Sequence, residues 1–285
     1  MGLTATGVTT VRRALAQSGL VPIDGQALLA HVLGKNRAWL AAHGDDALAA
    51  DAAATFAALA HRRRAGEPVA YLTGLREFWG LELAVSPAVL IPRPETESVV
   101  ELALSRLPPD AGARVLDLGT GSGAIALALA HERPRADVLA TDVSAAALAV
   151  ARGNAARLGL RNVEFVHSDW YSHVPAPWRG GAFDLIASNP PYVAAGDAHL
   201  AQGDLRHEPA SALSPGGDGL DALRIIVAGA RQRLVPGGTL VVEHGYDQSE
   251  VVRALFAGAG FSEVTSARDL AGVPRVVAGR ANAGA

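Results

Sequence analysis

From residue 113 onward, short apolar runs alternate with longer amphipathic segments. The apolar runs predict buried strands and the amphipathic segments predict helices. The predicted order is strand 113–117, helix 123–132, strand 137–141, helix 144–158, strand 163–167, strand 183–188, helix 218–234, strand 238–243, helix 247–258, strand 262–267 and strand 274–279. This alternation indicates a doubly wound α/β sheet. Because no helix separates the last two strands, we expect them to pair antiparallel at one edge.

Residues 1–74 show the apolar spacing of short helices that bury one face in a small bundle. The predicted caps and ends are Thr9 or Thr10 for a helix through Leu15, Asp24 for a helix through Leu33 that Gly34 ends, Asn36 for a helix that stops near Gly44, and about Asp51 to Ala65 for an Ala-rich helix. The basic run 61–64 falls in the last turn of that helix. Cations there offset the helix dipole; contact with RNA or an acidic partner is the alternative.

Residues 75–85 alternate like two strands around Gly80, which predicts a β-hairpin between the bundle and the sheet. Two prolines then hold the chain extended, and Pro94 can start a helix with acidic residues in its first turn. Arg93 and Glu97 flank this forced turn. They either cap and solvate the helix or belong to a functional site.

Composition excludes several classes of protein. The chain has 285 residues, no cysteine and a net charge of −3. Disulfides, thiolate metal sites and a cysteine nucleophile are therefore excluded, and no metal site is predicted. The charge disfavours a general polyanion binder. Because no basic segment precedes a long apolar core and apolar runs stay short, we expect neither a signal peptide nor a membrane span, and a cytoplasmic location.

The first predicted strand of the sheet ends in Asp117 and runs into a loop with a glycine at every second position, Gly119-Thr120-Gly121-Ser122-Gly123. Such glycines permit a sharp turn and a close ligand, and we expect N–H groups at the helix start to face that ligand. The spacing differs from the dinucleotide pattern. A carboxylate at the mouth would repel a pyrophosphate but attract a cationic amino-acid group. These features favour S-adenosylmethionine over NAD.

Polar residues also follow the next two strands. Asp142 ends the second strand, where a carboxylate can accept both ribose hydroxyls. Asp169 and Trp170 end the third, where the acid can accept from an adenine amino group and the ring can cover the base. Because the carboxyl ends of parallel strands meet at one edge, we expect all of these groups to surround one nucleoside.

The fourth strand ends in Asn189-Pro190-Pro191-Tyr192. Two prolines force the chain out of the sheet and remove two N–H donors. The result is a stiff corner rich in acceptors, which suits a substrate that brings a planar –NH2 group. We expect the Asn189 side-chain oxygen and the Pro190 carbonyl to accept its two hydrogens while Tyr192 packs on its flat face.

Together these motifs resemble class I S-adenosylmethionine-dependent methyltransferases, and more closely the release-factor glutamine N5-methyltransferases. The resemblance is carried by residues 68–74, 76–79, 90–97, 117–123, 189–192 and 243–245. It implies a helical bundle for substrate recognition (1–74), a β-hairpin linker (75–92) and a Rossmann-like, seven-stranded methyltransferase domain (93–285). It also implies methylation of the glutamine amide in the Gly-Gly-Gln motif of class 1 peptide-chain release factors.

Residue by residue, the resemblance assigns the methionine part of the cofactor to residues 119–123, the ribose to Asp142, the adenine to the neighbourhood of Trp170, and the substrate amide to residues 189–192. The stretch 194–217 departs from the family pattern except near Glu208-Pro209, so its contacts with substrate are not assigned. We expect a monomer that needs no stable nucleic-acid or membrane partner.

Three alternatives remain open. An adenine-N6 nucleic-acid methyltransferase would present the same –NH2 group, although such enzymes grip phosphates and flip a base, and this acidic chain has no segment left for a target-recognition domain. A glutamine methyltransferase of a ribosomal protein shares the core motifs. A cofactor-binding module without catalysis is the third alternative.

Overall fold

The computed structural model describes residues 9–110, 112–178 and 183–282, without the side chain of Pro177. The prediction that no signal peptide is present concerns the first eight residues in part, and these lie outside the described ranges. The chain divides into two compact units, Met1–Gly74 and Leu75–Ala285. No helix of the described residues is both long enough and apolar enough to cross a membrane.

The first unit is a bundle of short helices, as predicted. Its helices are α1 (Val11–Gln17), α2 (Pro22–Leu33), α3 (Arg37–Ala42), α4 (Ala50–Arg64) and α5 (Val69–Thr73). The Thr10 hydroxyl and the Asn36 side chain accept from N–H groups in the first turns of α1 and α3. Gly34 ends α2 in a left-handed conformation. Leu28, Leu29 and neighbouring apolar side chains form the core of this unit. Helix α5 was not predicted from the sequence.

The predicted role of Asp24 as a helix cap is wrong. Helix α2 begins at Pro22, whose missing N–H costs nothing in a first turn, and Val21 is its N-cap. Asp24 instead forms an ion pair with Arg63 at 2.7 Å. Arg62 pairs with Glu67, and Arg64 donates to the Ser18 carbonyl. The basic run of α4 therefore has partners within its own unit.

The predicted hairpin is confirmed as strands β1 (Leu75–Phe78) and β2 (Leu81–Ala84), paired antiparallel. Its two turn residues, Trp79 and Gly80, both have positive φ, at 54° and 70°, as tight hairpin turns require. Glu97 accepts from the Trp79 N–H at 2.9 Å. The hairpin packs its buried side chains into the core of the second unit.

The second unit contains six further helices and seven further strands in its described residues. After a short 3₁₀ turn at Pro94–Thr96 they are α6 (Glu97–Arg106), β3 (Arg114–Leu118), α7 (Ala124–Glu132), β4 (Asp137–Asp142), α8 (Ala145–Leu158), β5 (Val163–His167), β6 (Phe183–Ser188), α9 (Ala210–Leu213), α10 (Asp221–Ala230), β7 (Leu234–Glu243), α11 (Ser249–Gly258), β8 (Phe261–Arg268) and β9 (Pro274–Ala281). Most predicted bounds are confirmed to within two residues.

Three neighbouring boundaries are wrong, namely both ends of one helix and the start of the strand that follows it. The predicted helix 218–234 is shorter at both ends, and β7 begins at Leu234 although it contains Pro236 and two glycines. Gly219 has a φ of +82°, which belongs to the preceding loop rather than to a helix. Gly237 also has positive φ, and the pairing of β6 with β7 shifts register between Phe183 and Leu185. This irregularity lets β7 contain residues that normally end a strand.

The sheet has the strand order β5-β4-β3-β6-β7-β9-β8. The first five strands in this order pair in parallel, and β9 pairs antiparallel with both β7 and β8. The antiparallel edge was predicted correctly. The order reverses between β3 and β6, and Leu118 lies directly opposite Ser188 there. In such sheets ligands bind beyond the carboxyl ends of the strands at this reversal, which places the glycine loop beside the Asn-Pro-Pro-Tyr corner.

Candidate functional site

A cavity of about 380 Å³ lies at the carboxyl ends of the strands where the sheet order reverses. This volume falls in the range of small-molecule sites. The predicted site residues that line it are Gly119, Thr120, Gly121, Ser122, Asp142, Asp169, Trp170, Asn189 and Pro191. Four separate strand ends therefore converge on one cavity. Gly123, Pro190 and Tyr192 are not among its lining residues.

The backbone of the glycine loop is bonded mainly to the protein itself. The N–H groups of Gly119 and Thr120 both donate to the Thr141 carbonyl at 2.9 Å. The Gly121 N–H donates to Asp142 at 2.9 Å, and the Gly123 N–H donates to the Thr120 carbonyl. The first three of these N–H groups hold the loop against the end of β4. The prediction concerned the N–H groups at the start of α7: the Ala126 N–H donates to Asp117, and a contact of the other helix-start N–H groups with a ligand stays a prediction.

Gly123 has a packing role. Its φ is +90°, and a Cβ there would lie 2.8 Å from Cδ1 of Leu127. No other residue fits both the left-handed backbone and this close contact. Its predicted contact with the cofactor stays a prediction that the cavity lining does not support.

Asp117 lies beneath the loop rather than at its mouth, with only 1% of its surface exposed. Its Oδ2 accepts from the Thr120 hydroxyl at 2.6 Å and from the Ala126 N–H at 3.2 Å. Its Oδ1 is buried and has no hydrogen-bond partner among the described residues. Burial raises the pKa of Asp117 to about 7, although both hydrogen bonds lower it. Among the described residues, none of the groups that influence the pKa of Asp117 is a cation.

Asp142 braces two backbone turns at the edge of the cavity. Its Oδ2 accepts from Gly121 and its Oδ1 accepts from the Ser144 N–H at 2.8 Å. Each carboxylate oxygen has a second lone pair, so both can still accept from a ligand. The next residue, Val143, also lines the cavity and is 60% exposed, so an apolar wall lies beside the acid.

Trp170 also lines the cavity, close to the glycine loop. Its φ of 46° is unusual for a bulky side chain. Ser168 stabilises this conformation, because its hydroxyl donates to the Trp170 carbonyl and accepts from the His173 N–H, both at 2.9 Å. The ring then lies over the glycine loop: a Cβ at Gly119 would be 3.6 Å from it. Asp169 lies beside the ring and also lines the cavity.

At the corner after β6, the side chain of Asn189 has a defined direction. Its Nδ2 donates to the Thr96 hydroxyl at 3.0 Å. Thr96 is buried and also lines the cavity. Because the amide nitrogen is engaged, the Oδ1 of Asn189 remains as an acceptor. Thr96 was not among the predicted site residues, although it lies within residues 90–97, which carry part of the family resemblance.

Tyr192 supports the corner from behind instead of lining the cavity. Its ring packs against the apolar core of one sheet face, and its hydroxyl donates to Glu243 at 3.0 Å. Its carbonyl accepts from Gln248 at 2.9 Å. A Cβ at Gly219 would lie only 2.4 Å from that carbonyl oxygen. The prediction that Tyr192 packs on the substrate amide is not supported by this placement.

Another part of the cavity lining is held together by contacts between two segments that are distant in the sequence. The Glu208 side chain is fully buried and forms an ion pair with Arg93, while its Oε2 accepts from the Ile91 N–H at 3.1 Å. Arg93 and Pro209 both line the cavity. Of the two residues left open above, Arg93 therefore belongs to the cavity, whereas Glu97 supports the hairpin turn.

Comparison with known proteins places this site in a family. The chain is 55% identical over 272 residues to the release factor glutamine methyltransferase of Bordetella pertussis, an alignment that covers 95% of this chain and 99% of that protein. It is 47% identical over 257 residues to the protein of the same name from Escherichia coli, covering 90% and 91% of the two chains. The chain belongs to the release factor glutamine methyltransferase family. It is therefore a protein glutamine methyltransferase.

The family models agree with the two units of this methyltransferase. A model described as the PrmC N-terminal domain matches residues 8–74, and one described as the methyltransferase small domain matches residues 95–220. Among solved structures, the Thermus thermophilus 16S rRNA N2 G1207 methyltransferase in complex with AdoMet and guanosine has a TM-score of 0.53 and 23% identity, covering 72% of this chain and 49% of that one. This likeness supports the Rossmann-like methyltransferase fold.

Proposed function

We propose that this enzyme transfers a methyl group from S-adenosylmethionine to the side-chain amide nitrogen of the glutamine in the Gly-Gly-Gln motif of class 1 release factors. The observation that carries the proposal is the direction of the Asn189 amide. Its nitrogen donates to Thr96, which leaves its oxygen to accept from a substrate –NH2 group in the cavity. The names of the relatives support a release factor as the protein that brings this group.

The residues of the cavity and the acid beneath its glycine loop fit the cofactor. Asp117 does not line the cavity itself, but its buried Oδ1 has no partner among the described residues and its pKa is raised to about 7, so a nearby positive charge would stabilise its ionised form. Asp142 offers acceptors for hydroxyl groups, and Trp170 with Val143 offers apolar surface for a base. When bound, S-adenosylmethionine supplies a methyl group on a positively charged sulfur.

The protein has to orient a poor nucleophile, because the amide lone pair is delocalised into the carbonyl. In the proposal the Asn189 Oδ1 and the Pro190 carbonyl accept the two amide hydrogens and hold the nitrogen in one direction. Such orientation can contribute about 7–11 kcal/mol in favourable cases. In the proposal Tyr192 stabilises the corner through its hydrogen bond to Glu243 and does not contact the substrate.

The test is methyl transfer from labelled S-adenosylmethionine to purified acceptors. We expect label on a class 1 release factor and none on the same factor with its Gly-Gly-Gln glutamine replaced by alanine. Label on a ribosomal protein but not on the release factor would support the sibling activity instead. Label on nucleic acid alone would support an adenine methyltransferase, and cofactor binding with no label anywhere would overturn catalysis on these acceptors.

A further inference from the structure

Arg93 is the one cationic residue among the described residues that line the cavity. Its guanidinium forms an ion pair with Glu208, whose own side chain is fully buried. The second oxygen of Glu208 accepts from the Ile91 N–H at 3.1 Å, so this carboxylate holds both the backbone and a side chain of residues 91–93. Arg93 therefore has a fixed direction, although 29% of its side chain remains exposed.

The pairing with Glu208 uses only part of the guanidinium. An arginine side chain has five N–H donors, and Nη2 gives one of them to Glu208. Arg93 donates no other side-chain hydrogen bond within the described ranges, which leaves four of the five donors for a molecule in the cavity. A planar fork of this kind matches a carboxylate through two parallel hydrogen bonds. The lining of the cavity thus contains a site for an anionic group.

The polar residues of the cavity follow the order of the strands in the sheet. Asp169 follows β5 and Asp142 ends β4, so both lie on one side of β3. Asn189 follows β6, on the other side of β3, and its amide donates to Thr96. The Thr96 N–H donates to the Arg93 carbonyl at 3.1 Å, which places Arg93 one turn from this corner. The acids and the cation of the cavity lining therefore lie on opposite sides of β3.

We propose that Arg93 binds the carboxylate at the amino-acid end of S-adenosylmethionine and that Glu208 positions its guanidinium for this contact. The inference rests on the proposed function, in which Asp142 binds the ribose and Trp170 covers the base. With the nucleoside there, the amino-acid end is left with the residues around β3 and β6. Its ammonium group suits Asp117 beneath the loop. Its carboxylate, which the acids on the other side would repel, suits Arg93.

The ion pair also limits the net charge that Arg93 brings to the cavity. An unpaired guanidinium would repel the positively charged sulfur of the cofactor. Glu208 compensates this charge but leaves most N–H donors of Arg93 in place. The site therefore recognises a carboxylate through directed hydrogen bonds, and a charge without the planar fork should serve less well.

The test measures the affinities of two ligands by calorimetry. S-adenosylhomocysteine carries both the ammonium and the carboxylate, whereas its decarboxylated analogue, S-adenosyl-3-thiopropylamine, lacks only the carboxylate. Wild type should bind the first about 10- to 100-fold more tightly, as expected for a charge-assisted pair. Arg93→Met keeps the apolar stem of the side chain but has no donor. It should lose this preference because only its affinity for S-adenosylhomocysteine falls, while its affinity for the analogue changes less than about threefold.

Two further variants separate a carboxylate contact from general damage. Arg93→Lys keeps the charge but not the planar fork, so it should retain a preference of about three- to tenfold for S-adenosylhomocysteine. Arg135→Met makes the matched exchange at a side chain that is 72% exposed, just before β4 and away from the cavity lining. This variant should match wild type with both ligands.

The outcomes are distinct. Equal affinities of wild type for the two ligands overturn the inference without any variant, while the proposed function stands. An equal loss for both ligands in Arg93→Met overturns it in favour of a purely structural ion pair. Unchanged affinities with a raised KM for the release factor overturn it in favour of a substrate contact. If wild type binds neither ligand, the proposed function and the inference fail together. If Arg93→Met does not fold, the comparison of wild type with Arg93→Lys decides.

Discussion

Two buried carboxyl groups, Asp117 and Glu243, lie at the same edge of the sheet, and burial raises the pKa of each to about 7. They differ in where their partners come from. Asp117 is bonded by groups three and nine residues further along the chain. Glu243 accepts a hydrogen bond from Tyr192, which lies 51 residues away in the sequence. Asn189 of the same corner donates to Thr96, which lies 93 residues away. The glycine-loop half of the cavity is thus locally encoded, whereas the corner half is assembled by the fold.

The local hydrogen bonds of Asp117 make the glycine loop unsuited to a pyrophosphate. In dinucleotide sites the N–H groups at a helix N-terminus bind phosphate. Here the Ala126 N–H in the first turn of α7 binds Asp117 instead. The protein therefore supplies its own carboxyl group at this place, and one oxygen of that group has no partner in the part of the chain that the structure describes. A ligand with a positive charge is favoured over one with phosphates.

The strongest test of the division into two halves is Asn189→Ala. It removes the proposed acceptor from the corner and leaves the glycine loop intact, so kcat should fall by about 100-fold or more. Affinity for S-adenosylhomocysteine, measured by calorimetry, should stay within about threefold. Asn282→Ala, a surface control, should match wild type. A loss of analogue affinity as large as the loss of kcat would show that the halves are not separate.

Asp117→Asn probes the other half with a smaller expected effect. The amide keeps the shape and an acceptor oxygen but loses the charge, so binding of a cationic ligand should weaken by about 10- to 100-fold. The measurement compares S-adenosylhomocysteine, which carries an ammonium group, with 5′-methylthioadenosine, which does not. Only the first should lose affinity. An equal loss for both ligands would contradict a role of charge and indicate damage to the loop.

The pH dependence of stability gives the smallest effect when it is measured over a single pH unit. The pKa values of Asp117 and Glu243 are raised on folding from about 4 to about 7. Between these values the folded state binds more protons than the unfolded state, so the free energy of unfolding falls as the pH rises. Each group can contribute up to about 1.4 kcal/mol per pH unit. Stability is greatest below the unfolded pKa and is lost as the pH passes the folded pKa.

Urea unfolding of the cofactor-free protein between pH 5 and 8 measures this slope. Asp117→Asn should gain stability relative to wild type as the pH rises, because the variant has no carboxyl group to ionise in the interior. Glu243→Gln should show the same trend. Parallel curves for wild type and variants would mean that neither acid has a raised pKa. Addition of S-adenosylhomocysteine should reduce the stability difference between wild type and Asp117→Asn more than the difference between wild type and Glu243→Gln.

Much of the fold follows from local patterns. Strand Phe183–Ser188 was predicted at its observed bounds, because a mostly apolar run is typical of a buried parallel strand. The edge strand Val163–His167 is only partly buried, and its bounds were also predicted correctly. The misassigned start of β7 arose where Pro236 and Gly237 lie inside a strand. Strand β7 tolerates these two residues because its pairing with β6 shifts register. No local pattern reveals how a neighbouring strand pairs.

The amino-acid sequence by itself determined the sheet, the glycine loop and the residues that follow each strand, because these depend on apolar periodicity, glycine and proline. Tertiary structure alone decided how those residues are used. It turned most of the loop N–H groups toward β4, placed Asp117 beneath the loop, moved Tyr192 behind the corner, and brought Thr96 to Asn189 and Glu243 to Tyr192. The direction of a hydrogen bond depends on every partner within about 3 Å, and those partners come from distant parts of the chain.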